Sequence, residues 1–326
     1  MDRRTFLGTA AANLMDLPLQ AMAQQTAKVR RLGYLTNGDE ANDDWRPAIQ
    51  GPLRDLGWIE GKNLIVEDRY ASHKVERLPV LAAELVRLPV ELIMTLGTYA
   101  SLAAKNATAT IPIVMLSAGD PVRSGLVASL AHPGGNVTGL SIATTELRLK
   151  RLELLHELLP AARRVGELVN PQDTFWSIGH DEYVDAYRRL GIQPIFIEVT
   201  TISQLENAVA EVARQQGQAL VANGDPLFAA NNIQLVTAAL RHALPTVVAY
   251  PGDVEAGALA SYNASIEDIG PRIAVFIDKI LKGARPADLP VTQPTKFVLC
   301  INLRTAKMLG LTIPQSLLLR ADKVIQ

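Results

Sequence analysis

Short apolar runs alternate with longer amphipathic stretches along most of the chain. The apolar runs break at Gly, Asn, Asp or Pro, and the longer stretches carry apolar residues at helical spacing, as Glu76 to Leu88 does. Such alternation is typical of parallel β-strands joined by crossover helices, since a parallel sheet is covered on both faces. The pattern therefore predicts an α/β fold.

The strand–helix pattern forms two successive arrays. The first array has predicted strands at residues 29–36, 63–68, 92–96, 111–116 and 137–142, with a last helix at 124–131. After a helix at 146–159, the second array has predicted strands at 164–169, 194–199, 219–222 and 246–249. Two arrays of this size predict two doubly wound parallel-sheet lobes.

The segment after residue 258 has too few elements for a third domain. It holds a predicted strand at 259–262, a long helix at 267–281 and a last strand at 297–302. We expect these elements to complete the two sheets, so that several crossings form a multi-strand hinge. The expected boundaries are 28–142 with about 259–295 for lobe 1, and 143–258 with about 296–326 for lobe 2.

The first 25 residues differ in character from the rest. Arg3 and Arg4 precede a run of small residues, and Ala21-Met22-Ala23 has the form of a cleavage site. This layout predicts an export signal of the twin-arginine type over residues 1–25. Asp16 and Pro18 interrupt its apolar part, so an N-terminal helix is the alternative. With the signal removed, we expect a soluble periplasmic protein.

Composition narrows the possible partners. The 32 basic and 33 acidic residues give a net charge of −1, which offers no electrostatic footprint for nucleic acid or an anionic membrane. The single cysteine, Cys300, excludes an internal disulfide and a Cys-cluster metal site, and its apolar context predicts a buried strand position. Hydrolase elbows, zinc-protease motifs and Walker-type phosphate loops are missing from the sequence, so we expect no catalysis, cofactor or metal.

Candidate binding residues follow the predicted strands. In open parallel sheets a ligand binds beyond the carboxyl ends of the strands. The segments there are rich in Gly and in small hydroxyl and amide side chains, which suit a small polar ligand. The helices that follow favour an anionic group such as a carboxylate. The predicted ligand-binding residues are Thr36, Asn37, Thr98, Ser117, Ala118, Asn170, Asn223, Asp225 and Tyr250.

Several of these residues have a second interpretation. Thr98, Asn170 and Asp225 are also placed to cap the helices that follow them. Asp225 is in addition the predicted partner of a ligand ammonium group. Four aromatic residues are placed either to flank an apolar ligand side chain or to pack in the core: Tyr99, Phe175, Trp176 and Tyr250.

Three segments carry a family resemblance. Ile111 to Val114, Gly119 to Val122 and Pro133 to Gly139 resemble the signature of the tryptophan/tyrosine-type ABC transporter substrate-binding proteins. Lys279 to Pro290 and Asn302 to Pro314 continue the resemblance, which covers about Val29 to the end. It implies a type I periplasmic-binding fold and delivery of a ligand to ABC permease subunits, by a monomer that meets the membrane only through the permease.

Other positions depart from the family pattern. The segment Tyr250 to Asp253 differs from it, as do Ala258 and Asn263, which stands where the family usually has Gly. These positions lie near the predicted cleft, so the resemblance does not specify the ligand. Pro133 to Gly139 is predicted to fix a turn and the crossing between the lobes, because Gly permits backbone angles that other residues avoid.

Three functions are consistent with the sequence. The leading hypothesis is a solute-binding protein that closes on an amino acid or related carboxylate by hinge motion. A sensor of the same fold, which would signal to a membrane receptor, is the second. An exported α/β enzyme is the third, and it would require a catalytic constellation in the cleft.

Overall fold

The computed structural model describes residues 29–142, 144–171, 176 and 180–326. The predicted export signal and Phe175 lie outside the described residues. Every helix within the described residues is too short or too polar to span a bilayer.

Two sheets organise the described chain. The first comprises β1 Arg30–Thr36, β2 Leu64–Tyr70, β3 Leu92–Leu96, β4 Ile113–Ala118 and β5 Val137–Ser141. The second comprises β6 Arg164–Val169, β7 Gln193–Glu198, β8 Ala219–Ala222, β9 Thr246–Val248, β10 Ala260–Ala264, β11 Phe297–Asn302 and β12 Lys323–Ile325.

Helices connect the strands and cover both faces of each sheet. In chain order they are α1 Trp45–Asp55, α2 Leu78–Arg87, α3 Gly97–Ala107, α4 Thr144–Leu158, α5 His180–Arg189, α6 Leu205–Arg214, α7 Pro226–Ala229, α8 Asn232–Arg241, α9 Pro251–Glu255, α10 Ile266–Leu281, α11 Leu303–Met308 and α12 Gln315–Arg320. Short 3-10 turns lie at Glu40–Asn42, Val75–Arg77, Ile202–Gln204 and Pro286–Asp288.

The strand orders are β2-β1-β3-β4-β5 and β12-β11-β10-β9-β8-β6-β7. Neighbouring strands run parallel except for the antiparallel pair β10–β11. The apolar strands are buried because α1 and α10 pack on one face of the first sheet and α2 and α3 on the other. In the second sheet, α4 and α5 cover one face and α6 and α8 the other. The fold is two doubly wound α/β lobes.

One expected boundary is wrong. Residues 260–264 were assigned to lobe 1, but β10 pairs with β9 and β11 of the second sheet. Leu259 and Ala260 are buried in the lobe 2 core, which explains the pairing. The chain thus passes from the first sheet to the second lobe between β5 and α4. It passes back between β10 and α10, and it crosses again between Thr292, which bridges Leu140, and β11.

The helix predicted at residues 124–131 is also wrong. This segment forms a series of turns, in which Gly125 has a positive φ of 75°. Leu126 and Val127 are both buried although they are consecutive, a pattern that one face of a helix does not produce. The apolar spacing there reflects a packed loop.

A glycine in the Pro133 to Gly139 segment permits a close approach of two strands. Gly139 lies in β5 opposite Met115 of β4 and has a φ of 128°. A Cβ at this position would lie 2.2 Å from the Met115 carbonyl oxygen. Backbone on a central strand cannot move aside cheaply, so this glycine is a structural requirement.

Gly139→Ala is therefore expected to lower the free energy of unfolding by about 3 kcal/mol, from the clash and the strained φ together. Urea unfolding measures the loss. Gly135→Ala in the same segment is the matched control, because a Cβ there meets no atom within 4 Å; its change should stay within about 0.5 kcal/mol. Equal losses from the two variants would contradict the steric explanation.

Candidate ligand-binding cleft

The strand orders place a crevice in each lobe. In both sheets the strand order reverses direction beside the first strand of the array, between β1 and β3 and between β6 and β8. Ligands of doubly wound sheets bind outside the carboxyl ends of the strands at such a switch point. The carboxyl ends of these four strands and the segments that directly follow them contain six of the nine predicted residues: Thr36, Asn37, Thr98, Asn170, Asn223 and Asp225.

Two threonines of lobe 1 hold the backbone of the cleft loops. The Thr36 hydroxyl accepts a hydrogen bond from Gly38 N at 3.0 Å. The Thr98 hydroxyl accepts one from Gly119 N, also at 3.0 Å, so it joins the loops after β3 and β4. Thr98 does not cap α3, whose N-cap residue is Leu96. Both side chains shape the cleft through its backbone.

Ser117 and Ala118 lie at the end of β4, where its register against β5 shifts. Ser117 has a φ of 57°, a left-handed conformation that residues with a Cβ seldom adopt. Ala118 is buried and packs in the lobe 1 core. The strained turn at Ser117 is typical of a binding site, because the surrounding fold must hold it in place.

Asn37, which directly follows β1, has a buried side-chain amide without a hydrogen-bond partner among the described residues. Its side chain is only 8% exposed, and neither the amide nitrogen nor the amide oxygen has a partner among the described residues. A buried amide left unpaired costs about 1–3 kcal/mol. A ligand that accepts from Nδ2 and donates to Oδ1 would remove this cost.

Asn170 and Asp225 meet across the switch point of lobe 2. Asn170 Nδ2 donates to Asp225 Oδ2 at 3.2 Å, and Asp225 Oδ1 accepts from Leu227 N at 2.7 Å. The second contact places Asp225 at the start of α7, as the capping interpretation predicts. Both carboxylate oxygens of Asp225 therefore have protein partners.

A buried network of charged and polar side chains surrounds Asn223, and it was not predicted from the sequence. Glu167, in β6, is 1% exposed. Its Oε1 accepts from Asn223 Nδ2 at 2.7 Å and from Arg148 Nη2 at 3.2 Å, while its Oε2 accepts from the Tyr187 hydroxyl at 2.8 Å. Asn223 is thus a member of this network as well as a strand-end residue.

Arg151 completes the network from α4. It is 3% exposed, and its Nε donates to Asn223 Oδ1 at 3.0 Å and its Nη1 to the Tyr262 carbonyl at 3.1 Å. Within the described chain, no carboxylate lies at ion-pair distance from its guanidinium. Burial lowers the pKa of Arg151 to about 10. A buried cation without a counter-ion is unfavourable unless a ligand supplies one.

Arg148 is held by aromatic rings. Its guanidinium carbon lies 4.4 Å from the centre of the Tyr183 ring and 5.5 Å from that of Trp176, which also contacts Phe196. These are cation–π distances. The burial of both arginines could have been predicted from the sequence. Positions 148 and 151 share one face of α4 with Leu152 and Leu155, which are core residues.

Tyr250 stands at the end of β9. Tyr250 is 37% exposed, and a Cβ on Gly224 would lie 3.1 Å from its hydroxyl oxygen. Burial raises the pKa of Tyr250, and the neighbouring Arg151 opposes the rise. Tyr99 packs against the lobe 1 core, as its core interpretation predicts.

Two polar contacts join the lobes beside the crevice. The Thr145 hydroxyl, in α4, donates to Asp120 Oδ2 at 2.7 Å. Arg123, in the loop after β4, pairs with Glu182 of α5 at 3.1 Å. Since each contact has one partner per lobe, both belong to an arrangement in which the lobes are close together.

The chain is similar in sequence to substrate-binding proteins. A family model described as ABC transporter substrate binding protein matches residues 37–325. A tyrosine-binding protein of Clostridioides difficile (strain R20291) is 29% identical over 260 residues, which are 79% of this chain and 74% of that protein.

Two solved structures share the fold. One is an ABC domain in complex with L-Trp from Streptococcus pneumonia, with 25% identity, a TM-score of 0.84 and coverage of 91% of this chain and 99% of that one. The other is the ligand-free, open structure of a substrate binding protein with adhesive properties from Clostridium difficile, with 26% identity, a TM-score of 0.68 and coverage of 91% and 100%.

Proposed function

The chain belongs to the ABC transporter substrate binding protein family, and from its cleft we propose that the ligand is an amino acid or a related small carboxylate. Proteins of this family bind a solute for delivery to a transporter. The ligand class is the open question, because the departures from the family pattern lie beside the cleft.

Arg151 is the observation that carries the proposed ligand class. Its guanidinium has five N–H donors, of which two have partners in the described chain, and it lacks a carboxylate at ion-pair distance. A ligand carboxylate would supply the missing negative charge through charge-assisted hydrogen bonds.

Capture by hinge closure fits the arrangement of the lobes. At nearly equal identity, the TM-score is higher against the L-Trp complex than against the ligand-free, open structure. The contacts Thr145–Asp120 and Arg123–Glu182 also join the lobes directly. These observations support a closed arrangement in which the ligand is held between Asn37 of lobe 1 and the Arg151 side of lobe 2.

The remaining parts of the proposal concern location and partners. The twin-arginine pattern supports export to the periplasm, and the family supports permease subunits as partners of a monomeric carrier. The charged groups of the cleft bind one another and a ligand, and we propose no chemical step. Recovery of the ligand unchanged after incubation with the protein would agree with this, and turnover would contradict it.

A thermal-shift screen of the mature protein tests the ligand class. The panel pairs free amino acids and small carboxylic acids with their amides, which lack the negative charge. A ligand at 100 times its Kd adds about 2.7 kcal/mol of stability. We expect shifts from free carboxylates and much smaller shifts from the amides. Sugars or amides that stabilise the protein as well as the free acids would overturn the proposed class.

A further inference from the structure

One short turn of lobe 1 makes both of the polar contacts that join the lobes beside the crevice. The turn covers residues 120–124, shortly after β4, and Asp120 and Arg123 are its two residues that reach lobe 2. Ser124 N donates to the Asp120 carbonyl at 2.9 Å, which closes the turn on itself. Both contacts therefore originate from one internally bonded unit, the bridging turn.

The bridging turn is fixed to the body of lobe 1. Pro121 is buried, and its carbonyl accepts from Leu126 N at 2.8 Å and from Val127 N at 3.1 Å. Leu126 and Val127 pack in the lobe 1 core. Asp120 has a φ of 37°, a left-handed conformation that a residue with a Cβ keeps only where its surroundings hold it. The turn therefore moves with lobe 1 as a rigid part.

The partners of the bridging turn lie near the starts of two helices of lobe 2. Thr145 is the second residue of α4, and Glu182 is the third residue of α5. The two helices cover the same face of the second sheet and share the lobe 2 core. Two attachment points on neighbouring helices fix the orientation of the lobes, because a single contact would leave them free to rotate about it.

The two contacts differ in chemistry. The Thr145 hydroxyl donates to the Asp120 carboxylate at 2.7 Å in a partly buried position, and hydrogen bonds to charged groups are stronger than neutral ones. Arg123 and Glu182 form an ion pair at 3.1 Å, with 46% and 57% of their side chains exposed. An exposed pair contributes little and is weakened by salt. Most of the interlobe attraction from this turn therefore lies in the bond between Asp120 and Thr145.

Both contacts form between groups of the chain itself, so neither requires a ligand. A contact that exists only in the closed arrangement shifts the equilibrium between open and closed forms by its own free energy, with or without a ligand. The apparent Kd of a ligand that binds the closed form falls as the closed fraction rises. Such contacts raise the affinity for every ligand of the cleft without touching any of them.

We propose that the bridging turn is a latch that holds the two lobes closed independently of the ligand. The bond between Asp120 and Thr145 sets most of the closed fraction, and the pair of Arg123 and Glu182 adds a salt-sensitive part. This assignment rests on the proposed function for hinge closure and does not depend on the ligand class. It also gives the Gly119 to Val122 segment of the family resemblance a role in closure.

Distances between spin labels in the ligand-free mature protein test this assignment. Val80 of α2 in lobe 1 is paired with Ile233 of α8 or with Met308 of α11 in lobe 2; all three are exposed and are replaced by cysteine for labelling. Two pairs are used because a single distance can lie along the hinge axis. The natural Cys300 is 1% exposed, so it stays unlabelled. Double electron–electron resonance then gives the ratio of closed to open protein.

Three changes at the contacts should alter this ratio by different factors. Thr145→Val keeps the β-branched shape but removes the hydroxyl, and it should lower the ratio of closed to open protein by roughly 10-fold. Arg123→Glu places like charges opposite Glu182 and should lower it by roughly 2- to 5-fold at low salt. Adding Glu182→Arg restores opposite charges and should return the ratio to within about 2-fold of wild type.

Thr145→Val combined with Arg123→Glu multiplies the two factors. This combination makes the open form measurable even where wild type is almost fully closed.

Two control variants make the same chemical changes within lobe 2. Thr246→Val removes a hydrogen bond to the Leu244 carbonyl, and Arg188→Glu breaks an ion pair with Asp185 inside α5. Both lower the stability of lobe 2 without touching lobe 1, so we expect the closed fraction to stay as in wild type. A shift from either control as large as that from Thr145→Val would mean that the stability of lobe 2 governs closure, and the latch would be wrong.

The result is independent of the ligand class, because no ligand is present. The latch is wrong if ligand-free wild type is already open, or if the combined variant keeps the wild-type closed fraction; capture of a carboxylate ligand would still stand. Conversely, the expected shifts together with a screen that finds only uncharged ligands would support the latch and overturn the ligand class alone.

Discussion

Arg151→Met is expected to abolish binding of carboxylate ligands without destabilising the protein. Methionine keeps the length and apolar stem of the side chain but removes the cation. Truncating one partner of a buried charge pair costs about 2–5 kcal/mol of binding free energy, which corresponds to a roughly 30-fold or greater loss of affinity. The same substitution should leave the free energy of unfolding unchanged or raise it. The reason is that the unliganded protein buries this guanidinium without a carboxylate at ion-pair distance.

The pKa of Arg151 also indicates that its charge disfavours folding. Burial lowers it to about 10, so the charged form is less favourable in the folded protein than in the unfolded chain. That contribution disfavours folding at pH values below the folded pKa, and hence throughout the neutral range. Apolar replacements of buried ionic groups are neutral or stabilise by about 1–4 kcal/mol. Asn223 Oδ1 and the Tyr262 carbonyl each lose one donor, which offsets part of the gain.

Calorimetric titration with the ligand from the screen, together with urea unfolding of the ligand-free protein, measures both effects. Arg241→Met is the matched control, because that arginine is exposed and pairs with Glu206 at the surface. It should change neither quantity by more than about 0.5 kcal/mol. A protein that binds carboxylates normally without the Arg151 guanidinium would show that the anion site lies elsewhere.

The fold was predictable because strand and helix periods are local properties of the sequence. The α/β class, two lobes and the strand-end positions of the cleft all follow from apolar runs that end at turn residues. The assignment of β10 failed for a physical reason. Ala260–Ala264 reads as a strand in either lobe, and only its pairing with β9 and β11 decides between them. Long-range pairing has no local signature.

The site was predictable where it depends on strand ends and hidden where it depends on side-chain packing. Asn37, Asn170 and Asp225 were found because they follow strands. Arg148 and Arg151 were missed because charged residues on a helix are usually exposed, and their burial depends on Glu167, which is 16 residues from Arg151 in the sequence.

Glu167→Gln is expected to give one of the largest stability losses of any single substitution in the chain. Glu167 accepts hydrogen bonds from Arg148, Asn223 and Tyr187 in an interior that excludes water. Glutamine keeps the shape, but it removes the negative charge and turns one acceptor into a donor that faces other donors. Breaking a buried ion pair from one side costs about 3–5 kcal/mol, because the remaining charge is left uncompensated.

Urea unfolding of the ligand-free protein measures this loss, with Glu153→Gln as the matched control. Glu153 is an exposed residue of α4, and its pair with Lys150 is worth about 1 kcal/mol or less. Arg151→Met should raise the free energy of unfolding more in the Glu167→Gln protein than in wild type, because Arg151 then also lacks the favourable charge of Glu167. A simple sum of the two single changes would mean that Glu167 and Arg151 do not interact. A Glu167→Gln loss as small as that of Glu153→Gln would mean that the network contributes little to the fold, and that its arginines are held in place for the ligand by aromatic packing alone.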